Sequence, residues 1–224
     1  MPHHTSRGVI GYFGPDGVER GREWFHVTAA PHGSRTMRAI CEIDDSQILR
    51  DVTLTVGPDW RPRDSYVRVC VADELIGSGW FEFTETQARA EVLSARLGRI
   101  SQILPSAGRA PMFGAHQLAG DGWQAGLLDG HGDGPLRVEG VLLSSPEPNG
   151  SSGPLLDTIS LTAERIGPER ITVPAGTFDT IHYQFSPDGL DPEDVWVLAG
   201  SNTLVRSRWA HYGTSYELTS YEER

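Results

Sequence analysis

A histidine and an aspartate in a glycine-rich connection are the residues of this sequence best suited to chemistry. His116 and Asp121 lie between Phe113 and Trp123. A neutral histidine can take or give a proton near pH 7, and a carboxylate within hydrogen-bonding reach fixes its tautomer and stabilises its cation. We therefore predict His116 as a proton-transfer group oriented by Asp121, with Phe113 and Trp123 beside the substrate. In the alternative interpretation, Asp121 caps a turn and the two aromatic residues fill the core.

Strand parity adds a second group of candidate residues, because residues two apart in a strand share a face. The polar or aromatic residues that fall opposite the apolar face of their strands are Arg38, Arg68, Trp80 and Glu82. Such side chains could line a cavity, and we assign them to substrate binding. The alternative is an ordinary sheet with one solvated face. The burial of these side chains would distinguish the two interpretations, because a buried charge must be paired or hydrogen-bonded.

His182 and Arg208 are further candidate binding residues, in the last third of the chain. His182 has the opposite strand parity to Tyr183 and Phe185, so only one of these sets faces the core. Arg208 could neutralise an anionic substrate, and His211 follows it closely in sequence. The alternative is that these residues solvate the surface of a strand.

The sequence lacks the signatures of common metal and cofactor sites. Its eight histidines show no HExxH spacing, and Cys41 and Cys70 are too few for a zinc knuckle. Neither a dinucleotide-binding βαβ glycine pattern nor a G-x-S-x-G nucleophile elbow is present. The absence of lysine excludes a Schiff-base mechanism. We therefore expect no cofactor and no metal, and we expect both cysteines, which lie in apolar runs, to be buried free thiols.

The charge and hydropathy of the chain limit the classes of partner that we expect it to bind. The formal net charge is −11, whereas binding to nucleic acid or to anionic membrane surfaces needs clustered cations. No segment reaches transmembrane length, so we expect no membrane insertion. The first residues lack the charged start and apolar core of a secretory signal, which favours a cytoplasmic location. A small hydrophobic molecule is the expected partner, and a homodimer is an assembly that the sequence permits.

Short runs of alternating apolar and polar residues, separated by turn residues, must position these side chains. The runs predicted as strands are 23–29, 36–43, 47–56, 65–72, 79–84, 173–178, 181–185, 194–198, 204–209 and 215–221. Residues 84–97 fit a strand or a helix, and we favour a strand because strands flank them. The turn-rich segment 144–154 is predicted to be an exposed, flexible loop. We therefore expect one all-β domain over residues 1–224, an antiparallel meander that closes into a barrel or a strongly curved half-barrel with little helix.

The last third of the chain resembles a known family. The matching runs are Val173-Pro-Ala-Gly-Thr-Phe178, His182-Tyr-Gln-Phe185, Val195-Trp-Val197, Leu204-Val-Arg206 and Tyr216-Glu-Leu218. They are similar to the carboxy-terminal half of bacterial β-meander proteins of the domain-of-unknown-function 3108 type, over about a quarter of this chain. The resemblance implies a lipocalin-like fold that holds apolar molecules, and it transfers no catalytic residues.

Two functional hypotheses follow from these patterns. The first is a cofactor-independent lyase, isomerase, hydratase or cyclase that holds a small hydrophobic molecule in a β-barrel cavity and uses His116 and Asp121 for acid–base chemistry. The second is a non-catalytic carrier or sensor of apolar ligands. The family resemblance implies the second, and the absence of an export signal favours the first.

Overall fold

The protein is a single curved sheet that wraps around one short helix. The structure, a computed structural model, describes residues 3–132, 134–210 and 213–224. Within them the strands are His4–Phe13 (β1), Glu19–Ala29 (β2), Arg35–Ile43 (β3), Ile48–Val56 (β4), Pro62–Val71 (β5), Glu74–Phe83 (β6), Gln87–Ser94 (β7), Gly98–Pro105 (β8), Phe113–Gly114 (β9), Leu136–Leu143 (β10), Asp157–Val173 (β11), Gly176–Pro187 (β12), Glu193–Leu198 (β13), Leu204–Trp209 (β14) and Thr214–Glu223 (β15). The α-helix α1 is Leu118–Gln124, and a 3₁₀ turn, Ala125–Leu128, follows it.

The strands follow one another in space almost as they do in sequence. The order is β8-β7-β6-β5-β4-β3-β2-β1-β15-β14-β13-β12-β11-β10-β9. Strands β1 and β15 pair antiparallel, which joins the two halves of the meander near the two ends of the chain. Strands β8 and β9 lie at opposite ends of this order and do not pair, so the sheet is an open, curved half-barrel. The prediction of an all-β meander with little helix is confirmed.

Alternation along the strands separates an inner face from an outer face. In β4, for example, Ile48, Val52 and Leu54 are buried, whereas Leu49 is exposed. We call the face that packs against α1 the inner face and the opposite, solvated side the outer face. The helix lies against β2, β13 and β14, and its residues Ala119 and Trp123 belong to the same apolar core as the inner face. Burial of such apolar side chains is the main stabilising contribution to this fold.

Several predicted elements differ from those observed. The run 173–178 spans a hairpin rather than one strand: β11 ends at Val173, β12 begins at Gly176, and these two residues pair across the two-residue turn. Pro174 lies at the turn, because its fixed φ suits a turn and it has no N–H to donate to a ladder. The strand predicted within 84–97 is confirmed as β7. Strands β1, β8, β10 and β11 have no counterpart among the runs predicted from the sequence.

The segment 144–154 has irregular backbone, as its composition predicts, but only part of it is exposed. Ser144, Ser145 and Pro154 are buried. The Ser145 and Ser152 hydroxyl groups share a hydrogen bond of 2.5 Å. Arg50 donates to the carbonyl oxygen of Asn149 from inside the core. Turn-rich composition identified the irregular backbone but not the burial of residues such as Ser145, because their partners come from distant parts of the chain.

No α-helix in the described part of the chain is both long enough and apolar enough to cross a membrane.

Candidate functional site

Polar side chains lie buried or partly buried on the inner face around the start of α1, and we call them the inner polar cluster: Tyr12, Glu23, Cys41, Arg50 and His116. The Glu23 carboxylate is at its centre. The Glu23 side chain is completely buried, and its two oxygen atoms accept hydrogen bonds from the backbone N–H groups of Leu118 (2.8 Å) and Ala119 (2.9 Å). The hydroxyl of Tyr12 and the thiol of Cys41 also donate to it, at 3.1 and 3.3 Å. Burial raises the pKa of Glu23, and these four donors oppose that rise. The carboxylate therefore fixes the start of α1 against β2.

Asp121 and Glu193 form a second acidic pair on the inner side. Asp121 accepts a hydrogen bond from the Gln124 amide at 2.8 Å, and Glu193 accepts one from the Ser207 hydroxyl at 2.5 Å. Burial raises the pKa of Glu193 to about 7, and the pKa of Asp121 rises through burial and the nearby charge of Glu193. Like charges in a poorly solvated site disfavour simultaneous ionisation.

His116 lies at the start of the segment that leads into α1, with a left-handed backbone (φ 58°). Its two ring nitrogens lie 3.2 Å from the carbonyl oxygens of Pro148 and Ser145, and its own carbonyl accepts a hydrogen bond from Arg50. Burial, with the positive charge of Arg50, lowers the pKa of His116 to about 4. The ring therefore ties the 144–154 segment to the core.

The predicted pair of His116 and Asp121 is not formed as a hydrogen-bonded unit. Each has other partners: His116 contacts carbonyl oxygens, whereas Asp121 contacts Gln124. The connection that carries them is also not a loop, because Asp121 lies in the first turn of α1. The helix is hard to foresee, since Gly120 and Gly122 lie within it and glycine disfavours helices.

Phe113 and Trp123 occupy the core, as the alternative interpretation proposes. The Phe113 ring lies 5.1 Å from that of Phe81 and 4.7 Å from that of Phe83. The Trp123 ring lies 6.0 Å from that of Trp60. The hollow between these groups and α1 encloses about 20 Å³, which is room for about one water molecule.

A much larger hollow lies on the outer face, over strands β1 to β5 and β15. This outer groove has a volume of about 550 Å³. Apolar side chains of three strands border it: Trp24, Ile40 and Tyr66, which are 39%, 47% and 42% exposed. Trp24 and Ile40 are direct neighbours across β2 and β3. Large exposed apolar side chains that cluster in a concave site are typical of a binding surface.

Charged residues of the outer groove are mostly paired. Arg7 forms an ion pair with Glu222 at 2.7 Å, and Arg68, next to the groove, pairs with Asp51 at 3.1 Å. Arg38 differs, because its only polar contact within the described residues is the Thr28 hydroxyl at 3.5 Å. Arg38, predicted for substrate binding, thus presents an uncompensated cation to the groove.

The remaining parity candidates share the outer face but lie at or beyond the groove margin. Trp80 is 40% exposed and is the direct cross-strand neighbour of Tyr66. Glu82 lies on the same strand, and its direct neighbours in the register of the sheet are Asp64 on β5 and Arg89 on β7. Neither Trp80 nor Glu82 lines the groove.

His182 and Arg208 belong to a separate polar cluster on the outer face of the second half of the sheet. His182 contacts Asp194 through Nε2 at 2.8 Å and stacks on Trp196, with ring centroids 4.3 Å apart. The Arg208 guanidinium lies 5.9 Å from the centre of the same Trp196 ring. The indole N–H of Trp196 donates a hydrogen bond to Glu169 at 2.7 Å. These residues do not line the outer groove, and His211 lies outside the described residues.

Sequence reasoning missed Trp24, Ile40 and Tyr66. A usable signal existed in strand parity: Trp24 alternates with Phe25, and Ile40 alternates with Ala39, both buried. Parity places Trp24 and Ile40 on the same solvated side of adjacent strands, and a cluster of large apolar side chains on such a side indicates a binding face. In the part of the chain that the structure describes, no three histidine, cysteine or acidic side chains are grouped as metal ligands.

Comparison with solved structures adds information on the fold. A crystal structure of a β-barrel-like protein of domain of unknown function DUF1849 from Brucella abortus superposes with a TM-score of 0.60 and 9% identity, over 99% of this chain and 98% of that one. The chain has a β-barrel-like fold. A DUF1089 family protein from Pseudomonas aeruginosa (TM-score 0.48, 9% identity, 85% and 90% coverage) and a putative lipoprotein from Parabacteroides distasonis (0.37, 10%, 97% and 94%) are more distant. No protein-family model and no curated protein matches the sequence.

Proposed function

We propose that the protein is a non-catalytic carrier or sensor of a small, largely apolar molecule, which binds in the outer groove. One observation carries this proposal: a hollow of about 550 Å³ is bordered by the exposed side chains of Trp24, Ile40 and Tyr66. This volume lies within the range of small-molecule sites. Removing half-exposed aromatic and aliphatic groups of this size from water contributes roughly 1–2 kcal/mol each.

The groove is also built on a rigid base. Its border residues project from neighbouring strands of one sheet, and the opposite side of those strands is packed with core residues such as Phe25, Ala39 and Val52. Side chains on paired strands lose little freedom when a ligand binds, so less binding energy is spent on ordering the site. A preformed apolar surface of this kind suits reversible binding.

The acid–base enzyme remains an untested prediction, and the contacts of its proposed residues do not favour it. Both ring nitrogens of His116 face carbonyl oxygens, and the hollow near Trp123 has a volume of about 20 Å³. A substrate of several carbon atoms needs more room than one water molecule. The carrier or sensor function therefore fits the geometry better.

The resemblance of the last third of the chain to proteins of the domain-of-unknown-function 3108 type agrees with this proposal, since it implies a fold that holds apolar molecules. We place the ligand, however, on the outer face rather than in a barrel interior. The cytoplasmic location and the homodimer stay predictions.

Binding of N-phenyl-1-naphthylamine tests the proposal, because this neutral dye becomes fluorescent in apolar sites. The wild-type protein should bind it with a saturable signal. Ile40→Glu places a charge beside Trp24 and should weaken binding at least fivefold. Leu93→Glu is the matched control, because Leu93 is also an exposed strand residue (57%) but does not line the groove.

Loss of binding in Ile40→Glu, with retained binding in Leu93→Glu and unchanged far-ultraviolet circular dichroism in both, is the expected result. Equal affinities for the wild-type and Ile40→Glu proteins, or no saturable binding by the wild type, would show that the outer groove is not the ligand site.

A further inference from the structure

We infer that the ligand of the outer groove is an anionic amphiphile, whose carboxylate, sulfonate or phosphate group binds Arg38 while its apolar body packs on Trp24 and Ile40. This inference rests on the proposed function, since it names the chemical class of the ligand for the same groove.

The charges of the groove single out Arg38. Arg7 donates two hydrogen bonds to Glu222, at 3.0 and 2.7 Å, so this pair is already neutralised. Asp51 is neutralised by Arg68 in the same way. Arg38 forms no ion pair within the described residues and contacts only the Thr28 hydroxyl, at 3.5 Å. Its guanidinium donors are therefore available to a ligand.

Acidic residues outnumber basic residues in this chain. The chain carries a net charge of −11, with 30 acidic and 19 basic residues. Acidic side chains are thus abundant, yet none of those that the structure describes neutralises Arg38. A cation without a partner attracts an anion, and the planar guanidinium group binds carboxylate, sulfonate and phosphate oxygens with two parallel hydrogen bonds.

Cross-strand register gives the groove an amphipathic layout. His26, Arg38 and Thr53 are aligned on β2, β3 and β4, and they form a polar strip with hydrogen-bonding groups. The next row contains Trp24 and Ile40, two residues along the same strands. Because rows two residues apart lie about 7 Å from each other, a small molecule can contact both at once. A ligand with one charged end and one apolar body matches this layout.

The short side chain of Thr53 leaves space for such a ligand. Thr53 lies directly between Arg38 and Tyr66 in the register, and both neighbours have long side chains. The space above Thr53 thus opens on one side to a guanidinium and on the other to an aromatic ring. The anionic group can therefore reach Arg38 without leaving the apolar surface.

A pair of dyes with a shared apolar body provides the test. 8-Anilinonaphthalene-1-sulfonate carries a sulfonate on the skeleton of N-phenyl-1-naphthylamine, which is neutral. Arg38→Gln should lower the ratio of sulfonate-dye affinity to neutral-dye affinity about tenfold, as expected for loss of a charge-assisted hydrogen bond. Arg38→Lys, which keeps the charge, should restore part of that ratio.

Arg96→Gln is the matched control, because Arg96 is exposed, lies outside the groove and changes the net charge by the same amount. It should leave the ratio unchanged. An unchanged ratio in Arg38→Gln, with saturable neutral-dye binding that Ile40→Glu weakens, would overturn the anionic ligand but keep the proposed function. An equal fall of the ratio in Arg96→Gln would also overturn it, because the effect would then be global. Absence of binding of both dyes would overturn the inference and the proposed function together.

Discussion

Replacement of Glu193 by glutamine should stabilise the protein at pH 8 and leave its stability nearly unchanged at pH 5. Burial raises the pKa of Glu193 from 4.5 to about 7. Between pH 4.5 and about pH 7, Glu193 therefore keeps its proton in the folded protein but has released it in the unfolded chain. Because an acid with a raised pKa favours folding only when protonated, Glu193 lowers stability as the pH rises through this window. Glutamine keeps an acceptor for the Ser207 hydroxyl and cannot ionise.

The size of the effect follows from the pKa. A pKa difference of one corresponds to about 1.4 kcal/mol, so the rise from 4.5 to about 7 sets an upper limit of about 3.4 kcal/mol above pH 7. Glu193 is only partly buried, and residual solvation lowers this limit. We therefore expect a gain of roughly 2 kcal/mol in the free energy of unfolding at pH 8. Removal of the Glu193 charge also relieves Asp121, whose pKa it raises.

Urea unfolding, followed by tryptophan fluorescence at pH 5 and pH 8, measures this difference. Glu147→Gln is the control, because Glu147 is exposed and makes no side-chain hydrogen bond or ion pair in the described structure. It should change stability by less than about 0.5 kcal/mol at both values. A Glu193→Gln effect of equal size at pH 5 and pH 8 would contradict a raised pKa of Glu193, since only an interaction that does not titrate contributes equally at both pH values.

Three further predictions concern the inner polar cluster, and the first and third are measured by urea unfolding. Glu23→Ala leaves the first backbone N–H groups of α1 unpaired in a buried site and should cost about 3 kcal/mol or more, so a loss below about 1 kcal/mol would contradict the role of Glu23 as an anchor of α1. Arg50→Met removes the donor to the His116 carbonyl and should speed proteolytic cleavage within 144–154, and an unchanged cleavage rate would show that Arg50 does not hold that segment. His116 has its pKa lowered to about 4, so the unfolded chain binds a proton that the fold excludes, and wild-type stability should fall as the pH drops from 6.5 towards 4. His116→Asn, which tolerates the left-handed backbone, should flatten that fall, and an identical pH dependence in both proteins would exclude this titration.

The strands of this protein were largely predictable because their signals are local. Alternating residues such as those of β4, together with turn residues between runs, predicted most strands within a few residues of their ends. The hairpin at Pro174 was misplaced, since an apolar run on both sides of a turn has the composition of one strand. The helix α1 was missed because its glycine residues contradict helix propensity, and tertiary packing against β2 and β14 overrides that propensity.

The candidate site was predicted only in part, because it is assembled from residues far apart in the chain. Arg38 was identified by strand parity, yet its neighbours in the groove, Trp24 and Tyr66, belong to other strands. The His116 and Asp121 pairing was inferred from closeness in sequence. In the structure, Asp121 turns towards Gln124, and His116 turns towards carbonyl oxygens about 30 residues away.

Residue types and their order alone set the class of secondary structure, the alternation of buried and solvated side chains and the net charge of −11. These properties depend on residue type and on a period of two along each strand. Long-range pairing and packing leave the sheet open, place α1 on its inner side and form the large hollow on the outer face. Strand parity predicts that each strand has two faces, but it does not predict which face is covered. Long-range contacts determine this, such as the hydrogen bond from the start of α1 to Glu23. The unpaired charge of Arg38 is likewise a tertiary property, because it depends on which carboxylates the neighbouring strands bring within reach.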